Sequence, residues 1–254
     1  RRSSDLRDQA WFYLPLVAYA FIRSRKDGLY VIWCSLVMVF LLLNGFNLYM
    51  VPLGLFLLVI AILEGASPSC PAPSGRGRLV SNLVKVIAIT FLLGAIKIFP
   101  LLELLSVNMR AIEDYRQASA GAMTLERMGL AFFSRGPYAV GNEALMGANG
   151  LGMGSVMYFG VFPAALFLLS CVFCFKKVWK YLVVMLFFLL LCMAKNSPVD
   201  FFHILWHLPL FHSMREPARY FSFPVIFSAC VVSGAFLSSQ RFKTLKPVLR
   251  VLVL

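Results

Sequence analysis

Residues 79–101 read LVSNLVKVIAITFLLGAIKIFPL. The run is apolar apart from Ser81, Asn82 and Thr90 and two charges, Lys85 and Lys97. A helix of about 20 apolar residues crosses the hydrocarbon core of a bilayer, because only there can so much apolar surface stay out of water. This stretch therefore decides the class: it reads as a transmembrane helix. Lys85 lies under two turns from one end and Lys97 about one turn from the other. Each can snorkel its ammonium to the interface or face a cavity between helices.

The rest of the chain repeats the pattern. It is 60% hydrophobic and only 14% charged, with a mean hydropathy of +0.81. A soluble domain is nearer half apolar and about a quarter charged. Apolar segments fall at Ala10–Ile22, Leu29–Leu43, Tyr49–Leu63, Leu79–Leu101, Ser155–Phe175, Tyr181–Ala194 and Tyr220–Leu237, with a stump at Val248–Leu254. The fourth, fifth and seventh are long enough to cross. The others are short and need flanking aromatics, snorkelling cations or a locally thinned bilayer. The expected fold is all-α: a polytopic transmembrane helix bundle of about seven spans plus a truncated eighth, with residues 1–254 as one transmembrane domain. The "NGFN" turn at 44–47 predicts a helical hairpin between the second and third segments. The chain opens without Met and closes on VLRVLVL, which looks like a span cut partway, so a fragment is expected.

Basic residues orient the spans. With "RSRKDG", "EGASPSCPAPSGRGR", "KKVWK" and "SSQRFKTLKP" inside, these loops hold 11 Lys and Arg. The opposite side holds 10, spread over about 90 residues. Density sets the direction, and it places a long loop, 102–154, and a shorter interfacial segment, 195–219, on the extracytoplasmic face. The net charge of +13 then belongs beside anionic lipid rather than nucleic acid, since no basic patch is interleaved with a soluble fold. Five of the six cysteines sit in apolar runs and act as small hydrophobes; Cys171 and Cys174 form a C-x-x-C without a second pair. Cys70 stands alone in a Pro/Ser/Gly loop.

Candidate chemistry lies in the outside segments. "MTLERMGLAFF", 123–133, is amphipathic enough for a membrane surface. "GANGLGMG" has a dinucleotide-like glycine spacing but follows no strand, so it reads as a re-entry loop. Asp200, His203 and His207 share one face at i, i+3, i+7. That spacing leaves a divalent metal open, while the plainer reading is a short interfacial helix. In "MREPAR", Pro217 bends the chain at Glu216. Arg215 and Arg219 then flank the bend, and two guanidinium groups there can converge on one anion, Glu216 pairing with either.

The order of four elements resembles the YfhO-type bacterial membrane proteins of the GT-C glycosyltransferase superfamily. These are the "DQAWFYLPL…NGFNLYMVPLGLFLL" pair of spans, "IKIFPLLELLSVNMR", "MYFGVFPAALFLL" and the R-x-P-x-R of "LPLFHSMREPARYFSF". The resemblance implies a multi-pass enzyme of the bacterial cytoplasmic membrane. It would pass a sugar from a polyprenyl-phosphate donor to a cell-envelope acceptor on the outer face. The family's catalytic carboxylate implies a position upstream of Arg1, so no catalytic role falls on Asp5 or Asp8. Arg215 and Arg219, with Glu216, would hold the donor phosphate, and Glu103 and Arg110 at another outer span end would line the same cavity. The partners implied are membrane lipids, the lipid-linked sugar phosphate and the acceptor. No cofactor is required by these residues, and a divalent metal stays open. The rival expectations are a transporter or lipid flippase, which needs charges at mid-depth and inverted repeats, and a non-catalytic membrane scaffold.

Overall fold

The structure is a computed structural model that describes residues 13–44, 47–65, 77–107, 114–119, 122–133, 159–208, 211–212, 214 and 217–239. Ten α-helices are described: α1 (Leu14–Arg23), α2 (Leu29–Leu43), α3 (Asn47–Gly65), α4 (Arg78–Val107), α5 (Tyr115–Ala118), α6 (Leu125–Phe133), α7 (Val161–Phe173), α8 (Phe175–Met193), α9 (Phe201–Trp206) and α10 (Pro217–Leu237). No strand occurs among the described residues. Three helical stretches are long and apolar enough to cross a membrane: Arg78–Pro100, Phe175–Asn196 and Pro217–Leu237. The helices fall into two compact units, α1–α4 with residues 211, 212 and 214, and α5–α10.

In the first unit α4 is the central strut, packing against α1, α2 and α3. Leu79, Asn82, Leu83, Val86 and Thr90 recur every three or four residues along α4 and are buried, which is the spacing of one helical face. The opposite face is apolar too. Val84, Ile87, Leu92 and Ile96 are exposed, Ile96 at 81%. α2 likewise buries Cys34, Met38 and Leu42 while exposing Ile32, Trp33, Leu36 and Phe40. A soluble helix sheds apolar side chains from its outer face; these helices keep them, and α4 is one of the three long and apolar enough to cross a membrane.

With hydrocarbon outside, polar contacts and close backbone approach hold such helices together. Asn82, buried on α4, donates from Nδ2 to the Ser24 carbonyl at 2.9 Å and to Ser24 Oγ at 3.1 Å. Ser35 Oγ on α2 donates to its own Val31 carbonyl at 2.8 Å and reaches the α4 carbonyl of Val86 at 3.5 Å. Gly94 of α4 packs so close to Leu42 of α2 that a Cβ there would overlap the Leu42 Cδ2 methyl. The basic turn after α1 is tight: Asp27 Oδ1 accepts the Leu29 N–H at 2.9 Å. Asn44 ends α2 by donating Nδ2 to the Phe40 carbonyl at 2.7 Å, and α3 begins three residues on.

In the second unit α8 and α10 run antiparallel, Phe188 meeting Phe221 at one end and Val178 meeting Val232 and Phe236 at the other. Small residues make this approach close. Ala218, Ser222, Ser228, Ala229 and Ser233 all lie buried on α10.

Three expectations change. The fourth segment does not end at Leu101: α4 runs through Pro100 to Val107, because "LELLSV" supplies strong helix formers. "KKVWK" is not a loop but the opening of α8, Lys176, Lys177 and Lys180 lying on helix. The fifth segment is not a 20-residue helix where it is described. α7 has 13 residues, bounded by Gly160, at φ 86°, and by Cys174, at φ −121°. Both its ends meet the last turns of α10, through Ser233 Oγ donating to the Pro163 carbonyl at 3.0 Å and Phe173 against Phe236 at 6.1 Å.

Candidate functional site

The polar groups of the second unit collect where α8 ends and α10 begins. α8 closes at Ala194, a buried alanine at φ 40°. That left-handed backbone turns the chain sharply and is unfavourable for a residue with a Cβ. A single 3₁₀ turn, Ala194–Asn196, follows. Asp200 then starts α9: its Oδ1 accepts the His203 N–H at 2.9 Å. The same carboxylate accepts, on Oδ2, the phenol of Tyr115.

Tyr115 comes from the one-turn helix α5, which Asp114 caps by accepting the Arg116 N–H at 2.9 Å. Two further tethers bind this segment to the end of α8. The Met123 N–H donates to the Cys192 carbonyl at 3.1 Å, and Asn196 Nδ2 donates to the Ala122 carbonyl at 3.3 Å. The Tyr115 ring lies edge-on to His203, centroids 4.5 Å apart, and 5.6 Å from Trp206. His203 meets His207 at 4.8 Å, again edge-on, and both imidazoles are exposed. Burial first, then the hydrogen bond to Asp200, hold the Tyr115 phenol well above the ordinary tyrosine range, so it stays a donor.

The sequence spacing of Asp200, His203 and His207 does put them on one short helix. Asp200, however, is committed to capping that helix and to Tyr115. Among the described residues no group of three or more His, Cys, Asp or Glu is placed to hold a metal ion. What remains accessible is the imidazole pair, which can donate or accept hydrogen bonds. Tyr115 was not a candidate from sequence; the "EDY" start of a helix was a capping signal, but nothing local shows that it reaches Asp200.

Of the proposed phosphate-binding residues, Arg219 lies half-buried in the first turn of α10, which opens on Pro217. Phe221, two residues on, touches Phe202 of α9 at 6.1 Å, so Arg219 belongs to the same end of the unit as the histidines. Arg215, Glu216 and Arg110 lie outside the described residues. Glu103 is exposed in the final turns of α4 and belongs to the first unit. Lys85 lines a cavity beside the start of α4, while Lys97 is exposed further along it. Cys171 and Cys174 are both free thiols.

Comparison with protein-family models, with curated proteins and with solved structures gave no match to this chain.

Proposed function

We propose that this is a multi-pass membrane enzyme of the GT-C type, working in the bacterial cytoplasmic membrane on a polyprenyl-phosphate-linked sugar at the outer face. The observation that carries the reading is Arg219 in the first turn of α10, at the end of the unit that also presents His203 and His207. An arginine at a helix start combines a planar donor fork with the positive end of the helix dipole, and both favour phosphate. Arg215, four residues earlier, adds the second fork across Pro217. As the sugar leaves its phosphate, negative charge builds on the phosphate oxygens, and fixed guanidinium groups stabilise it. The seven apolar segments then act as seven spans, with 102–154 and 195–219 outside, and the acceptor is a cell-envelope glycan, lipid or polymer. Whether the reaction uses a divalent metal is a separate question for the same assay.

The test is transfer of labelled sugar from a polyprenyl-phosphate donor in membranes bearing the intact protein. The double variant Arg215→Gln/Arg219→Gln lowers transfer by about a hundredfold, the scale of losing one charge-stabilising donor, while protein abundance holds. Unchanged transfer sinks the assignment.

One observation favours the rival transporter or flippase. α6 and α7 meet end to end, the Phe132 carbonyl accepting the Phe159 and Gly160 N–H groups at 3.0 and 3.2 Å. In transporters, substrate sites form where a membrane-spanning helix is broken into two halves. Lipid scrambling by the purified protein in vesicles, undiminished in the double variant, would decide for that reading.

A further inference from the structure

The first unit carries a second cationic recess, unrelated to Arg219. A cavity of 430 Å³ opens where the turn after α1 meets the start of α4, lined by Ser24, Gly28, Gly77, Arg78, Ser81 and Lys85, with Asn82, Val31 and Ile32 as its inner wall. Every charge on the lining is positive. The carboxylate nearest in sequence, Asp27, is not on the lining and accepts the Leu29 N–H through Oδ1. Arg78 and Lys85 are one helical repeat apart and exposed, so both can reach into the recess. Gly28 and Gly77 border open space: a Cβ at either position would meet nothing within 4 Å. α4 begins at this point, the Ser81 N–H bonding back to the Gly77 carbonyl at 2.9 Å, so the positive end of a 30-residue helix adds to the two cations. Arg25 and Lys26 in the adjoining turn raise the local potential further.

The wall opposite the cations is apolar. Val31 is buried and Ile32 half-exposed toward the side of α2 that also shows Trp33 and Leu36. The Ser81 hydroxyl, two cations and a carbon-rich wall fit an amphiphilic anion better than a free inorganic ion. We infer that this recess binds a phosphate ester, its phosphate held by Arg78, Lys85 and Ser81, with the carbons of the ester against Val31 and Ile32. The source favoured by the apolar wall is the headgroup of an anionic phospholipid.

The experiment uses the full chain in detergent micelles, examined by native mass spectrometry during titration with dioleoylphosphatidylglycerol, dioleoylphosphatidylcholine or sodium phosphate. Wild type retains the anionic lipid at least about tenfold more tightly than the zwitterionic one, and Arg78→Gln/Lys85→Gln removes most of that preference. The charge-keeping pair Arg78→Lys/Lys85→Arg retains it, which separates loss of charge from loss of fold, and Lys97→Gln leaves it unchanged. Displacement of the lipid by millimolar sodium phosphate supports the recess as a phosphate site but assigns it to a soluble ester. Equal retention of both lipids by wild type, or full retention by the double Gln variant, overturns the inference.

Discussion

Asn82→Leu is the sharpest test of how the first unit is held. The side chain is 4% exposed and donates twice to Ser24, at 2.9 and 3.1 Å. Leucine has the same branching and the same number of heavy atoms, so it keeps an apolar contact against α1 while the hydrogen bonds are lost. The Ser24 carbonyl then sits at the end of α1 without this donor, while Ser24 Oγ keeps its own bond to the Phe21 carbonyl at 2.6 Å. Interhelical hydrogen bonds in membranes average about 0.6 kcal/mol and reach about 1.7. Two bonds from one amide should therefore cost about 1–2 kcal/mol, a factor of roughly 5–30 in the folding equilibrium. The assay is reversible unfolding in mixed micelles with increasing dodecyl sulfate, read by tryptophan fluorescence. A double-mutant cycle with Ser24→Ala isolates the Oγ bond and should show a coupling of about 0.5 kcal/mol. An Asn82→Leu protein as stable as wild type would refute the claim that this amide joins α4 to α1, and strict additivity with Ser24→Ala would refute the contribution of the Oγ bond.

Two further outcomes follow from other contacts. Gly94→Val forces a branched side chain into Leu42 and should destabilise by about 1–3 kcal/mol, with Leu42→Ala recovering part of the loss in the same unfolding assay. Tyr115 should not ionise where ordinary tyrosines do, near pH 10. Its folded pKa is raised above the unfolded one, so the stability it contributes is whole below about pH 10 and is lost as pH rises through the folded value. The rise in absorbance at 295 nm between about pH 9 and 11 should be the same for wild type and Tyr115→Phe; an excess of one tyrosinate in wild type would contradict the buried donor.

The apolar blocks were readable because hydropathy is additive along the chain. A run such as 79–101 becomes a helix in any apolar solvent, whatever it packs against, and all seven segments contain helix. Helix ends were less readable. α4 passes Pro100, and the break at Cys174 has neither Gly nor Pro to announce it. Cys174 is buried among Leu166, Val178, Val232 and Phe236, so the packing of α7 and α8 on α10 sets that break.

The site divides in the same way. That Asp200, His203 and His207 share a helix face followed from a period of 3.6 residues and from an aspartate at the helix start. That Asp200 is spent on Tyr115 did not, because the two are 85 residues apart in sequence. Sequence alone determined the solvent, the helices and the sign of the charge at each turn, since these depend on side-chain chemistry counted along the chain. Only the tertiary structure decided which polar groups are consumed by one another and which stay open to a ligand, because a hydrogen bond between distant segments depends on backbone positions that no local pattern encodes.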